Sequence, residues 1–456
     1  VFRKKNKLHF VGIGGIGMSG IAEVLLNQGY QVTGSDLRQS PTTERLSTLG
    51  ATICFGHSSE NIADTDVVIT SSAVSKDNPE VQAARSRRIP VIPRAEMLAE
   101  LMRMKHGVLI AGAHGKTTTT SLVATVLSDA DLDPTVVIGG KLNKFKSSAQ
   151  LGHSNLIVAE ADESDGSFLH LSPVISVVTN IDKEHMDHYG TMANLKQAFV
   201  SFINKTPFFG MNFLCLDDKH IQDILPRIEK SHTTYGLTPN ADIQASRIQR
   251  RNGCQSFQVT YKDQNLGEFR LCLPGTHNVV NSLPVIGIAM ELEVPLEVIK
   301  ESLENFAGVQ RRFEITGHIN GFAIVDDYGH HPTEINAVLE AARNWYTGKV
   351  VAVFQPHRYS RVRELYEDFT KAFYHADEVI VADIYPAGEA PIPGLNSRKI
   401  AESIRAKGHK HVNYFPSFDE IAASLQQQHT EDGAIITLGA GNINTLCGML
   451  RKPVSP

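Results

Sequence analysis

The sequence predicts an α/β protein of three domains. It has an N-terminal Rossmann-like domain, a central P-loop domain with a mostly parallel sheet plus a small antiparallel sheet, and a C-terminal Rossmann-like domain. Three observations carry this reading. Short Val/Ile-rich runs such as LHFVGIG, DVVITSS, GVLIAG, NLIVAE, VISVVTN, VVAVFQ, DEVIVAD and AIITLGAG alternate with segments of helical period, the pattern of parallel strands buried on both faces. Glycine-rich strand–helix turns open near Gly12 and again near Gly112. The chain has 456 residues, and at roughly 150 residues per domain that is room for about three. The expected domains are 1–93, 94–311 and 312–456.

Composition narrows the class. Hydrophobic residues make up 42% and charged residues 20%, ordinary globular usage. The 44 Lys and Arg against 49 Asp and Glu leave a net charge of −5, which argues against a nucleic-acid binder. Cys54, Cys215, Cys254, Cys272 and Cys447 are odd in number, widely spaced and without a CxxC pair. Neither a zinc site nor a disulfide framework is expected, and a cytoplasmic location is. The basic N-terminus precedes an apolar run that glycines interrupt, so it does not read as a signal peptide. No run reaches the roughly 20 apolar residues of a membrane span.

In the first domain, Gly12-Ile13-Gly14-Gly15-Ile16-Gly17 fits GxGxxG between a strand and the helix MSGIAEVLLNQG. Glycine lets backbone amides approach a diphosphate at the helix N-terminus. Gly14, Gly15, Ile16 and Gly17 are therefore candidate ligand contacts, and Asp36, ending YQVTGSD, is a candidate acceptor from a ribose hydroxyl. Ligands of such sheets bind at the carboxyl ends of strands. Ser71 and Ser72, just after DVVIT, fall at such an end. The motif alone leaves NAD, FAD and a UDP-sugar open.

The central domain begins with GVLIAGAHGKTTTT. Gly112, Ala113, His114, Gly115, Lys116 and Thr117 form a shortened phosphate loop, with Ile110 where a strict Walker A has its first glycine. Backbone amides would cradle phosphates, Lys116 would neutralise the β- and γ-oxygens, and the Thr117 hydroxyl would reach Mg²⁺. Four threonines at 117–120 cost about 2 kcal/mol of helix propensity. Hydroxyls beside a phosphate give them a purpose, and Thr118 joins the candidates. Glu160, Asp162, Glu163 and Asp165 put four carboxylates in six residues at a strand end, hard ligands that suit Mg²⁺. The cluster NIDKEHMDHYG follows another strand. Its His185, near Glu160, becomes a candidate ligand of a second metal. The stretch from Gly236 to Leu273 alternates polar and apolar and reads as antiparallel strands.

LPGTHN then leads into a helix. His277, Asn278 and Asn281 suit recognition of a base or, equally, helix capping. In the third domain, Asp326-Asp327-Tyr328-Gly329-His330-His331 ends the strand FAIV, and Gln355-Pro356-His357-Arg358-Tyr359-Ser360-Arg361 follows VVAVF. Arg358 and Arg361 are three apart and share a helix face. Their planar forks suit carboxylate or phosphate.

These motifs together resemble the Mur ligase family, over essentially the whole chain. The resemblance rests on GIGGIGMSG, AGAHGKTTTT, EADESDGSFLHL, NIDKEHMDHYG, DDYGHHPTE and FQPHRYSR, in that order. It implies UDP-binding, ATPase and amino-acid-binding domains. It also implies joining of L-alanine to the lactyl carboxylate of UDP-N-acetylmuramate, driven by ATP with two Mg²⁺ ions. It implies that Lys116 and Thr117 handle the ATP phosphates and first Mg²⁺, and that Glu160 and His185 are metal ligands. By the same resemblance His277, Asn278 and Asn281 lie near the adenine and Asp327 near the ribose. Arg312, at the nucleotide edge, would act with Tyr328, His330, Arg358 and Arg361 to orient the amino acid and the reacting carboxylate, with His330 the candidate base. Ala113, Lys183-Glu184 and Asn442 depart from the family pattern, and no motif identifies a carbamylated lysine.

Three other readings compete. A NAD(P)-dependent dehydrogenase leaves Lys116 and the threonines without a task. A nucleotide switch leaves residues 326–361 unexplained. A relative adding a whole peptide is nearer, but EADESDGSFLHL favours alanine. Neither nucleic acid nor membrane is an expected partner, and a monomer or weak homodimer is expected.

Overall fold

The structure is a computed structural model that describes residues 6–71, 73–102, 105–138, 149–251 and 253–451. Ser72 lies outside the described residues. Three sheets organise the chain. Two belong to a compact unit made of the chain up to residue 252 with Ser256–Leu271 and Val280–Ala307. The third belongs to a second unit made of Gly253–Gln255, Cys272–Val279 and the chain from Gly308 onward.

The first sheet is built from β1 (Lys7–Val11), β2 (Gln31–Asp36), β3 (Thr52–Phe55), β4 (Val67–Thr70) and β5 (Val91–Pro93) in the order β3-β2-β1-β4-β5. All neighbours are parallel. The crossovers include α1 (Ile16–Asn27), α2 (Pro41–Thr48) and α3 (Pro79–Ser86). Both α2 and α3 start as the sequence rules require. Ser40 and Asn78 accept a backbone N–H at the N-cap, and Pro opens the first turn. Since β1 sits between β2 and β4, the turn after β1 faces solvent where the strand order reverses, the usual ligand position of such sheets.

The helix α4 (Arg94–Met102) leads into the second sheet. Its parallel part contains β6 (His106–Ala111), β7 (Thr135–Val137), β9 (Leu156–Glu160), β10 (Ile175–Val178), β11 (Met211–Cys215) and β12 (His232–Gly236), with β8 (Ala149–Gln150) antiparallel on β7. The helix α5 (Lys116–Asp129) follows β6, α6 (Met186–Tyr189) and α7 (Met192–Ile203) follow β10, and α8 (Lys219–Ile224) follows β11. The alternating segment forms β13 (Ile243–Arg251), β14 (Cys254–Tyr261) and β15 (Gln264–Leu271). These do not stand apart as a separate small sheet. Instead β13 pairs in parallel with β12, and the three strands extend the same ten-stranded sheet. Lys262 and Asp263 join β14 to β15 with φ of +46° and +67°, as a tight hairpin of two left-handed residues requires.

One expectation fails here. Cys254 and Cys272 form a disulfide. Spacing along the chain hid the pair, because a hairpin brings the start of β14 beside the end of β15. Cys54, Cys215 and Cys447 are free.

After α9 (Thr276–Glu291) and α10 (Leu296–Glu304), the third sheet takes the order β16-β17-β21-β18-β19-β20. Its strands are β16 (Glu314–Ile319), β17 (Phe322–Asp327), β18 (Val350–Phe354), β19 (Glu378–Val381), β20 (Val412–Tyr414) and β21 (Gly433–Leu438). Only β16, at the edge, is antiparallel to its neighbour. The VVAVF run shows why such strands read as continuous hydrophobic stretches. Val350, Ala352 and Phe354 join one core, while Val351 and Val353 join the core on the opposite face. The helix α11 (Pro332–Trp345) covers the first core, and α12 (Tyr359–Glu364) begins just beyond β18. Among the described residues, no helix is long and apolar enough to cross a membrane.

Candidate active site

The first glycine turn is built as predicted, and its surroundings add to the prediction. Gly12 has φ +76°, and the N–H groups of Gly12 and Ile13 donate to Ser35 O at 2.8 and 3.0 Å. Asp36 does not project outward as a spare acceptor. Its Oδ2 accepts the Gly14 N–H at 2.8 Å, and its Oδ1 accepts the Leu37 N–H at 2.8 Å. A Cβ on Gly14 would stand 2.8 Å from that same oxygen, so the loop needs glycine to receive its own aspartate. Gly17 is packed differently. A Cβ there would stand 2.8 Å from a guanidinium nitrogen of Arg94. Arg94 also pairs with Asp162 at 3.1 Å. Sequence reasoning passed over Arg94, whose signal was its place directly after the VIP strand. Ser71 follows β4, at the same end of the sheet as the glycine turn.

The second turn joins β6 to α5. Gly112 has φ +126° and Gly115 φ +83°. A Cβ on Gly112 would collide with Thr179, and one on Gly115 would stand 2.7 Å from the Asn281 side-chain oxygen. Thus Asn281 of α9 comes to the phosphate loop. Asn180 braces the loop through His114, accepting its N–H at 2.9 Å and donating to its carbonyl at 2.9 Å. The His114 ring meets Asp182 at 2.8 Å. Lys116 is folded back. Its Nζ donates to Gly112 O at 2.5 Å and to both carboxylate oxygens of Glu163, at 2.8 and 3.0 Å. Burial works against its charge, but Glu163, Asp162 and Glu160 outweigh burial and raise its pKa, so it is an ammonium. The four threonines do not all line the phosphate loop. Thr119 and Thr120 are fully buried, and the Thr120 hydroxyl donates to Lys116 O at 2.8 Å. Thr120 thus braces the helix, the Thr119 hydroxyl is buried without a hydrogen-bond partner among the described residues, and Thr118 is buried too, so Thr117 is the one of the four that stays partly exposed.

The acidic run lies beside this loop. Glu160 ends β9 opposite Ile110 of β6. One ligand atom each from Glu163, Glu184 and His185 lie within 4.8 Å of one another. The Tyr189 hydroxyl donates to Glu163 O at 2.5 Å and holds the loop in place. Burial lowers the His185 pKa, but Glu184 and Glu163 override it and raise it. Two carboxylates and an imidazole fit a divalent cation, while Glu160, the other expected ligand, is not among the three converging residues. The expected ligand His185 is in this group. Glu163 was expected only as one of four neighbouring acids, and Glu184 was not picked out as a ligand, because only the fold shows that the two converge on His185.

In the second unit, the ends of β17, β18 and β21 gather the third set of residues. Asp327 accepts the Phe313 N–H at 2.8 Å and the Gly329 N–H at 2.7 Å. Burial pushes its pKa up to about 6 against the pull of Arg312. The Tyr328 ring lies against the guanidiniums of Arg311 and Arg312, at 5.0 and 5.5 Å. Arg312 also approaches Glu334 at 3.8 Å. His330 Nδ1 stands 3.0 Å from Tyr328 O and 3.6 Å from Glu334. Its ring lies 6.0 Å from that of His357, which stacks on Tyr385. Burial, then His330, Arg361 and Arg358, lower the His357 pKa to about 4, so it is neutral at pH 7. Arg361 meets His357 Nδ1 at 3.4 Å. Arg358 starts α12 with φ +66°, a strained conformation for a side chain of its size, and its N–H donates to Tyr385 O at 2.9 Å.

His277 is half-buried, and desolvation followed by Arg312 lowers its pKa to about 4. Asn278 donates to Pro274 O at 2.7 Å, and Gln255 steadies the same turn through Leu273 O and Gly275 O at 2.6 and 3.0 Å. Asn278 therefore braces its own turn as a donor, not as the acceptor that a helix cap would be. Gln355 donates to Asn442 Oδ1 at 2.9 Å, which gives a task to the departure at position 442. Neither Gln255, His357 nor Tyr385 was a candidate from sequence, since each acts through a contact with a residue well separated along the chain.

The fold and these turns define a class. Three family models match in succession: "Mur ligase family, catalytic domain" over residues 7–106, "Mur ligase middle domain" over 110–289 and "Mur ligase, glutamate ligase domain" over 311–441. The chain belongs to the Mur ligase family. Among its relatives, the UDP-N-acetylmuramate–L-alanine ligase of Geobacter sulfurreducens is 56% identical, covering 97% of this chain and 96% of the relative. That of Desulfatibacillum aliphaticivorans is 55% identical, covering 97% of each. Among solved structures, the UDP-N-acetylmuramate-alanine ligase MurC of Thermotoga maritima superimposes with a TM-score of 0.83 at 30% identity, over 97% of this chain and 98% of that one.

Proposed function

We propose that this chain is an ATP-dependent ligase that joins L-alanine to the lactyl carboxylate of UDP-N-acetylmuramate, working in the cytoplasm through three domains, 1–93, 94–311 and 312–456. The observation that carries the reading is Lys116, half-buried at the phosphate loop with its ammonium held by the Glu163 carboxylate. Relatives at 53–56% identity along nearly the full chain, all of them alanine ligases, support the choice of substrates.

A carboxylate does not react with an amine at neutral pH without a leaving group. The lactyl carboxylate attacks the γ-phosphorus of ATP, the bond to the β–γ bridging oxygen breaks, and an acyl phosphate and ADP result. The alanine amine then attacks the acyl carbon, and phosphate leaves the tetrahedral intermediate. Lys116 exchanges Glu163 for the γ-phosphoryl oxygens and offsets the repulsion between the two anions. Thr117, Glu160 and His185, joined by Glu163 and Glu184, would hold Mg²⁺. When bound, that ion supplies positive charge to the phosphates. Asn281 places its amide at the phosphate loop, and His277 and Asp327 serve the nucleoside. Gly14, Gly15, Ile16, Gly17, Asp36 and Ser71 serve the UDP-sugar. Arg358 and Arg361 orient carboxylates.

His330 takes the proton of the amine. Its Nδ1 faces the acceptors Tyr328 O and Glu334, which favours the tautomer with the hydrogen on Nδ1 and the lone pair that a base needs on Nε2. The deciding experiment measures phosphate release with UDP-N-acetylmuramate, ATP and Mg²⁺ while each amino acid is supplied in turn. L-Alanine is expected to give the highest rate. Release with none of them overturns the reading.

A further inference from the structure

Cys254 and Cys272 form a disulfide, and both belong to the second unit. They are 18 positions apart. Cys254 is the first residue of β14, and Cys272 comes just after the last residue of β15. Each adjoins a contact to the turn that opens α9. Gln255 follows Cys254, and its buried amide donates to Leu273 O at 2.6 Å and to Gly275 O at 3.0 Å. Cys272 directly precedes Leu273.

That turn follows a tight course. Gly275 has φ +93°, and a Cβ on it would collide with the His277 ring and stand 3.0 Å from Ala341 of α11. The Asn278 N–H donates to Gly275 O at 3.0 Å. The course of the turn therefore sets where the His277 ring lies. Two links hold the turn to the start of β14, the Gln255 amide and the disulfide, and the second can be broken chemically. Cys254 is buried, but Cys272 keeps part of its surface exposed, so an incoming thiolate has a sulfur to attack. In the cytoplasmic setting proposed above, a disulfide is a site of exchange rather than a fixed staple.

We infer that Cys254 and Cys272 are a thiol–disulfide modification site that sets the nucleotide affinity of the ligase. The inference rests on the proposed place of His277 beside the nucleoside. A thiolate of an external dithiol attacks the Cys272 sulfur. The S–S bond breaks, and Cys254 leaves as a thiolate that takes a proton. The second thiol of the reductant, as its thiolate, attacks the mixed disulfide and releases Cys272, which is protonated in turn. The protein disulfide gains two electrons, and the dithiol loses them and becomes a disulfide. Oxidation runs the same exchange backward, with an external disulfide as the oxidant. With the link open, the turn keeps Gln255 but samples positions that do not bind, and apparent affinity falls with the fraction that does. Affinity differences of this kind lie mainly in the dissociation rate, so the oxidised protein holds ADP longer.

The test is titration of the full chain by ADP with Mg²⁺, after incubation with dithiothreitol or with oxidised glutathione. Wild type and C254S/C272S are compared, and UDP-N-acetylmuramate binding and thermal melting are measured alongside. After unfolding, a thiol reagent is expected to modify only Cys54, Cys215 and Cys447 in the oxidised protein and all five cysteines in the reduced protein. Reduction is expected to weaken ADP binding about 5–10-fold, and reoxidation to restore it, with the affinity for UDP-N-acetylmuramate unchanged. C254S/C272S is expected to bind ADP as the reduced protein does in either buffer. Several results overturn the inference. One is an ADP Kd within about twofold in the two forms, even if their melting temperatures differ, since the disulfide is then only structural. Another is an equal loss of UDP-N-acetylmuramate binding on reduction. The others are a C254S/C272S protein that still responds to the buffer, and five reactive thiols after oxidation. If the double variant does not fold, the cycle of reduction and reoxidation on the wild type decides, because it needs no substitution. Wild-type protein that binds no ADP in either form refutes the nucleotide reading of the site instead.

Discussion

Lys116 and Glu163 form a buried pair that the catalytic cycle has to open. Removing the charge of Lys116 leaves the γ-phosphoryl group without its ammonium and Glu163 without a partner. Lys116→Met is expected to slow phosphate release by about 10²–10³-fold, measured with saturating ATP. His330 makes a different demand. His330→Asn keeps a polar group of similar reach but provides no base, so kcat should fall about 10²–10⁴-fold with the KM for alanine nearly unchanged. If only that KM rises, His330 binds the amino acid and another group takes the proton. Both residues could be read from the chain, because a strand end followed by Gly-Lys-Thr or by a run of acids and histidines has few packing uses. Glu163 as the lysine's partner could not. It is one of four neighbouring acids, and only the curl of the loop after β9 selects it.

At the scale of elements, a buried carboxylate ties the first sheet to its helices. Glu80 of α3 is fully buried. It accepts from Ser35 Oγ at 2.6 Å, from Asn61 Nδ2 at 2.5 Å and from His57 Nδ1 at 3.0 Å, and it lies 3.6 Å from His9 of β1. Burial favours its neutral form, but the bonds from His9, Ser35 and Asn61 prevail and hold its pKa at about 2, below the ordinary 4.5. The folded state therefore binds the proton less readily than the unfolded chain. The stabilisation is complete above about pH 4.5 and is lost as the pH falls from there toward 2. Glu80→Gln should lower stability by roughly 1–3 kcal/mol at pH 7 and flatten the acid limb of a pH–denaturation profile. A mutant with the wild-type profile would show that the cluster contributes nothing. No motif announced this cluster, since its members come from two strands, a loop and a helix.

For the molecule as a whole, ligand binding and folding share one free energy. A nucleotide that binds only the native chain stabilises it by about 2.7 kcal/mol at one hundred times its Kd. ADP with Mg²⁺ should therefore raise the thermal midpoint of the wild-type protein, and Lys116→Met should abolish most of the shift. A full shift in that variant would place the nucleotide elsewhere. Three sheets, their parallel strands and the phosphate loop were all legible, because each follows from local hydrophobic period and from glycine where φ is positive. The disulfide between Cys254 and Cys272 and the fusion of β13–β15 to the central sheet were not. Both depend on which strand edges meet.

By itself the chain determined what could be written in contiguous residues: the α/β class, the two glycine turns, the acidic and histidine-rich strand ends, and the family they resemble. Strand burial and turn geometry act over a few residues, so local sequence records them. Tertiary structure alone decided the partnerships: Asp36 closing its own turn, Glu163 holding Lys116, Arg94 lying over Gly17, and His357 stacking on Tyr385. Each joins groups far apart in the chain, and electrostatic and packing energies depend on distance in space, which a linear order of residues does not contain.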